Sequence, residues 1–195
     1  MKFLKSALTV VACTTTALSF ASTSMQLNLQ SLSPQITTWA QQSIILSDLQ
    51  AANAKHADYS KAKIRSLNKQ WKQELKSSDK PLIGKVMNNG LSALLNTIED
   101  HSKGLYQGIM ITDNYGLSIG QTYISPNYYQ GSQKTWKKGY AASPAKPYIV
   151  EGSTKKGKIA PAIIAMPILD ANGKTVGVVE VNIDKTKLSN LPAQS

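Results

Sequence analysis

Lys158-Ile159-Ala160-Pro161-Ala162-Ile163-Ile164-Ala165-Met166-Pro167-Ile168-Leu169, followed by Asp170-Ala171-Asn172-Gly173 and then Lys174-Thr175-Val176-Gly177-Val178-Val179-Glu180-Val181-Asn182-Ile183-Asp184, decides the fold. Two β-branched runs flank an Asp-x-x-Gly turn, which is the pattern of a hairpin. In the second run Val179, Val181 and Ile183 fall on one face, whereas Val178, Glu180 and Asn182 fall on the other. The first run is apolar on both faces, as a central strand is, with Pro161 and Pro167 at strand-end or bulge positions. A sheet whose second face carries a carboxylate and an amide needs a cover that is itself partly polar.

Upstream, the same period of two predicts a strand over Leu105 to Thr112, the turn Asp113-Asn114-Tyr115-Gly116, and a return strand over Leu117 to Ile124. A shorter strand is expected over Pro147 to Glu151, joined to the next by Gly152 to Gly157. Five antiparallel strands result. Between the second and third lies Asn127-Tyr128-Tyr129-Gln130-Gly131-Ser132-Gln133-Lys134-Thr135-Trp136-Lys137-Lys138-Gly139-Tyr140, the densest aromatic, amide and basic run in the chain. It is the candidate lid of a pocket on the polar sheet face.

The first half of the chain has helical periodicity. Leu32, Ile36, Trp39, Ile44 and Leu46 mark one long helix, and Ile64, Leu67, Trp71 and Leu75 a continuation or partner whose Lys69, Lys72 and Lys76 face water. Asp79 as cap and Pro81 in the first turn predict a third helix that turns Ile83, Met87, Leu91, Leu94 and Ile98 inward. The whole is an α+β domain, with long N-terminal helices packed on the apolar face of a five-stranded antiparallel sheet.

The N-terminus reads as a secretory signal over residues 1–21: Lys2 and Lys5, an apolar stretch from Ser6 to Phe20, and the small-x-small site Ser19-Phe20-Ala21. Val10-Val11-Ala12-Cys13 loosely matches a lipoprotein box, but the apolar run before Cys13 is too short and continues beyond it. Cleavage after Ala21 removes the single cysteine, and with it any disulfide or thiolate chemistry. Roughly 170 residues remain, enough for one domain. They divide into a helical part over 22–104, a sheet over 105–188 and a tail over 189–195. No later run reaches the ~20 apolar residues of a membrane span. The net charge is +11, and every cation except Arg65 is lysine, which argues against base-reading nucleic-acid contacts.

The order of these features resembles the Cache family, extracytoplasmic PAS-like sensor domains of chemoreceptors and sensor kinases. The resemblance rests on Gly108-Ile109-Met110-Ile111-Thr112-Asp113-Asn114-Tyr115-Gly116, on Tyr129-Gln130-Gly131 with Trp136, on Pro147-Tyr148, and on the segment from Met166 to Val179. It implies a small-molecule pocket on the sheet face away from the long helices. In members that bind amino acids, an Arg-x-Trp pair and a later Tyr meet the ligand carboxylate, and two aspartates hold its ammonium. Trp136 and Tyr148 match that pattern. Lys134 stands in the arginine's place, Val150 and Asn182 in those of the aspartates, and Ser132-Gln133 in that of an acidic pair. Tyr129, Lys134, Trp136, Tyr148 and Asn182 are therefore the expected ligand-binding residues. Without the aspartates an ammonium would be desolvated unpaired, whereas Lys134 offers a point charge to an anionic ligand, with Glu180 as a competitor for it.

Enzymatic chemistry finds little support. Gly116-Leu117-Ser118-Ile119-Gly120 matches a nucleophile motif, but it leaves a turn and enters a strand, and both histidines lie upstream. His56 and His101 are expected on helix surfaces, too far apart for a metal site. Glu99-Asp100 reads as solvated charge, and Asp113 and Asp170 as turn residues. No metal or cofactor is expected. The resulting expectation is a periplasmic or secreted sensor domain without its own output module. It would signal through a membrane-bound receptor or enzyme that its N-terminal helices touch. The alternative is an interaction or regulatory protein with a vestigial pocket, acting by protein or envelope contact.

Overall fold

Apolar spacing in the first half produces helices, but more and shorter ones than periodicity alone implies. The computed structural model describes residues 24–155 and 158–190, so the expected signal segment and most of the tail lie outside the described residues. Residues 24–31 are helical, followed by α1 (Ser33–Ala40), α2 (Ser43–His56), α3 (Lys61–Glu74), α4 (Pro81–Met87) and α5 (Gly90–His101). The first long helix breaks at Gln41 and Gln42, with Gln42 in an extended conformation. The break shifts the inward face by one residue: Ile45 and Leu49 are buried, while Ile44 is 52% exposed.

The expected third helix also divides. Asn89 is extended, and its side-chain oxygen accepts from the amide of Ser92, starting α5 afresh. Asp79 does not cap α4; its amide hydrogen-bonds to Ser77 instead. The buried Glu74 carboxylate takes that role, accepting from the Ile83 amide at 2.9 Å and from the Gln70 side chain at 2.8 Å. An acceptor from the preceding helix thus satisfies one of the free N–H groups of α4 and fixes the angle between the two helices.

The sheet comprises β1 (Tyr106–Asp113), β2 (Ser118–Gln121), β3 (Tyr148–Val150), β6 (Ala162–Leu169) and β7 (Thr175–Ile183), in the spatial order β2-β1-β7-β6-β3 and antiparallel throughout. The last strand of the chain is its centre. The run expected as one strand from Lys158 is interrupted at Ala160-Pro161: β4 (Thr154–Lys155) and β5 (Lys158–Ile159) form a separate hairpin before β6 begins. Pro167 lies beyond Ala165, the last β6 residue paired with β3, where one edge of the strand is unpaired. The short helices α6 (Lys134–Tyr140) and α7 (Lys185–Ser189) complete the fold.

The face division read from the sequence holds. Ile109, Ile111, Ile164, Met166, Ile168, Val179, Val181 and Ile183 are buried in one cluster with Leu32, Ile36, Trp39, Ile45, Leu49 and Leu95 from the helices. Each such side chain contributes roughly 2 kcal/mol by leaving water. A second cluster forms around Trp71, Ile83, Val86, Leu117 and Tyr128, where α3 and α4 meet the turn after β1.

His56 is not on the surface. It is 5% exposed, and its Nδ1 lies 2.5 Å from Oδ2 of the fully buried Asp113. Asp113 also holds its own turn, accepting at Oδ1 from the amides of Tyr115 and Leu117. The helical pattern misplaces His56 because it is the last residue of α2, where the chain turns toward the sheet. His56→Ala would leave a buried acceptor without its partner and should cost about 3 kcal/mol, read from urea unfolding of the two proteins. An unchanged midpoint would show that the pair is dispensable.

Candidate functional site

The outer face of the sheet carries cross-strand rows that the register defines. Gln121, Met110, Glu180, Ala165 and Tyr148 are successive partners across β2, β1, β7, β6 and β3, and form the middle row. On one side lie Thr112, Val178 and Pro167; on the other lie Gly108, Asn182, Ile163 and Val150. Residues directly opposite in antiparallel strands share a face, so these rows lie on the face away from the long helices, with Gln121 at the edge, where its Nε2 donates to the Met87 sulfur of α4.

The segment after β2 covers this face. It begins at Tyr123, whose ring lies against Gly108; a side chain at Gly108 would collide with that ring and with the Asn182 amide. Burial pushes the Tyr123 hydroxyl up to about 12, with Glu180 adding to the shift and a hydrogen bond to Asn182 opposing it. The chain then passes over the helical edge. Trp71 Nε1 donates to the Ser125 carbonyl at 2.8 Å, Trp71 stacks on Tyr128, and Asn68 Oδ1 accepts from the amides of both Tyr128 and Tyr129 at 3.0 Å. Gln130 donates to the Asn127 carbonyl at 2.6 Å and is buried, so it shapes the loop.

From Gly131 the segment returns to the sheet. Gly116 and Gly131 lie so close that a Cβ on either would strike the other's surroundings, and Gly116 has a φ of +81°, which favours glycine. Trp136 Nε1 donates to Thr112 Oγ1 at 2.9 Å, and its ring lies 4.9 Å from that of Tyr140. Gly139 packs directly on Ala165 and Val178.

The expected site residues are only partly brought together. Trp136, Tyr148 and Asn182 belong to the outer face or lie on it. Tyr129 packs instead into the cluster around Trp71, because Asn68 fixes the loop backbone there. Lys134 is exposed at the first residue of α6. Val150 and Asn182 flank Ile163 in one row, so the two positions that could have carried aspartates are neighbours on this face.

Glu180 is the chemically distinctive group. It is 8% exposed, its Oε1 has no hydrogen-bond partner among the described residues, and burial raises its pKa to about 7. In the same row, Gln121 Oε1 is also buried and without a partner. Two unsatisfied acceptors in one row are costly, at about 1–3 kcal/mol each, unless something supplies donors. Gln121 and Tyr123 were legible as alternate residues of one expected strand, but nothing in the sequence alone showed which face they occupy.

Other groups have structural roles. Asp170 Oδ1 accepts from the amides of Asn172 and Lys174, as its turn requires, and His101 caps its own helix surface through Thr97. Glu99, expected to be solvated, is half-buried and accepts from the Thr122 hydroxyl. Ser118 is buried in β2, where its hydroxyl donates to the Met110 sulfur.

Comparison with protein-family models and with characterised proteins gives no match. Several solved structures are similar in fold. The sensor domain of the V. cholerae histidine kinase DctB aligns with a TM-score of 0.43 and 15% identity, over 88% of this chain and 54% of that one. The E. coli DcuS sensor domain gives 0.40 and 16%, over 66% and 90%. The ligand-binding domain of the Campylobacter jejuni chemoreceptor Tlp3, in complex with L-valine, gives 0.39 and 12%, over 88% and 66%. This chain thus spans about half the length of the first of them. The structural neighbours are Cache or PAS-like extracellular sensor domains. At these scores they identify no ligand for this chain.

Glu180 gives the site a pH signature. Its folded pKa lies above the ordinary 4.5, so the folded state holds a proton that the unfolded state releases. Stability is therefore greatest below pH 4.5 with respect to this group and falls as the pH rises toward 7, by about 3 kcal/mol in total. Glu180→Gln should flatten the stability profile between pH 5 and pH 8 and stabilise the protein at pH 8. Chemical unfolding at the two pH values would show it; an equal slope in both proteins would place the titration elsewhere.

Proposed function

We propose that this chain is an exported, periplasmic sensor domain that binds a small polar molecule on the outer sheet face and passes the signal to a membrane-bound partner. The observation that carries the reading is the buried, unpartnered acceptor Glu180 Oε1 in the middle row of the outer face, with a second such acceptor, Gln121 Oε1, at the β2 edge of the same row. A ligand that donates hydrogen bonds to both would relieve the cost of their burial. Tyr148 ends that row, Asn182 lies in the row on one side and Trp136 bonds to Thr112 in the row on the other, and Lys134 with Lys137 makes the lid edge basic. The fitting ligand has donors at one end and an anionic group at the other.

Among the described residues no helix is long and apolar enough to cross a membrane. We assign the contact with the partner to the N-terminal helices, whose inner faces hold the sheet and whose outer faces remain open.

One observation favours a second reading. Gly139 sits directly on Val178 and on Ala165, the neighbour of Glu180 in the middle row, so the lid and sheet already touch there. If the remainder is equally closed, the domain works by protein contact and its pocket is vestigial.

A thermal-shift screen of organic acids, amino acids and amines separates the two. A ligand at 100 times its Kd should add about 2.7 kcal/mol, roughly 5–10 °C in Tm. Glu180→Gln and Trp136→Ala should each remove most of that shift. Silence across the panel favours the vestigial reading, and a shift indifferent to both substitutions moves the site elsewhere.

A further inference from the structure

A separate cavity lies on the opposite side of the sheet, between α2, α3, α4, the start of α5 and β2. Its volume is about 500 Å³, within the usual range for a small-molecule site. The walls are apolar, with Leu67, Leu82, Val86, Leu91 and Ile119 among them. Its polar lining includes Asp48, Lys55 and His56 from α2, Lys85 from α4, Tyr59 and Asn89, and His56 pairs with Asp113.

The two lysines are the informative feature. They come from different helices yet line the same cavity, and the neighbouring Lys55 holds the Lys85 ammonium below its ordinary pKa by hydrogen bonding and charge repulsion. Neither makes a salt bridge among the described residues. Asp48 lines the same cavity, so the lining carries two cations against one anion. An apolar chamber with two like charges in its lining lacks a second anion, and an anion there would relieve the repulsion.

We propose that this cavity binds a small amphipathic carboxylate, with its apolar tail among Leu82, Val86 and Leu91 and its carboxylate between Lys55 and Lys85. This site does not depend on the outer-face reading. Its volume suits one medium-length chain and is too small for a diacyl lipid. His56 in its lining adjoins Asp113, the residue that anchors the turn beneath the lid, so an occupant would press on a structure that both faces share.

Calorimetric titration of the full chain with octanoate, octanol and octylammonium tests the assignment. Octanoate should bind the most tightly, and Lys55→Ala/Lys85→Ala should weaken it roughly tenfold while leaving octanol unchanged. Both lysines are exposed, so the double substitution leaves the fold intact. Ala52→Trp should fill the chamber and abolish binding of both octanoate and octanol, whereas Glu180→Gln should leave octanoate binding as it was. Equal affinity for octylammonium, or octanoate binding that survives loss of both lysines, would overturn the proposal. So would lysine-dependent binding to phosphatidylglycerol vesicles that saturating octanoate fails to displace, which would assign the pair to a lipid surface.

Discussion

The Asp113 carboxylate joins three parts of the molecule that would otherwise be independent. One oxygen meets His56 at the end of α2, and the other accepts from the turn amides of Tyr115 and Leu117. That turn in turn receives the returning loop, since Gln130 donates its amide to the Gly116 carbonyl and Leu117 bridges to Tyr129. A fully buried acid therefore sets the position of the helices, the first hairpin and the lid segment together. Its removal would leave backbone donors and a histidine unsatisfied at one point, which is why the pair tolerates burial.

From that anchor the two faces of the sheet diverge. The inner face is mainly aliphatic and is closed by helices over most of its extent, so it chiefly contributes stability, with the cavity at its β2 edge as the exception. The outer face is covered by a segment that touches it at Tyr123 and again around Trp136 and Gly139. The middle row nevertheless keeps two acceptors without partners among the described residues. A natural domain retains unsatisfied buried acceptors at a cost, and small-molecule recognition is a common reason for keeping them.

Much of this was legible in the sequence because it depends on local periodicity. The alternation of Val179, Val181 and Ile183 against Val178, Glu180 and Asn182 assigned both faces of the central strand, and Asp170 and Asp113 marked turns by their chemistry. The helix breaks were harder to see: Gln41-Gln42 and Asn88-Asn89 interrupt the chain without changing its apolar spacing enough to show it. The capping of α4 by Glu74 and the pairing of His56 with Asp113 are tertiary contacts between residues far apart in sequence. The same limit applies to the lid. The run from Asn127 to Tyr140 was recognisable as one unit, but Asn68 and Trp71 divide it, drawing Tyr128 and Tyr129 to the helices and leaving Trp136 to the sheet.

Glu180 links the fold to the proposed function, because the burial that raises its pKa also leaves its Oε1 without a partner among the described residues. A carbon-detected NMR titration of the Glu180 side-chain carboxyl, with Glu180→Gln to assign the signal, tests this most directly. The expected result is a midpoint near 7 that shifts when a ligand from the screen occupies the outer face. A midpoint in the ordinary carboxylate range near 4.5, unmoved by any such ligand, would contradict it.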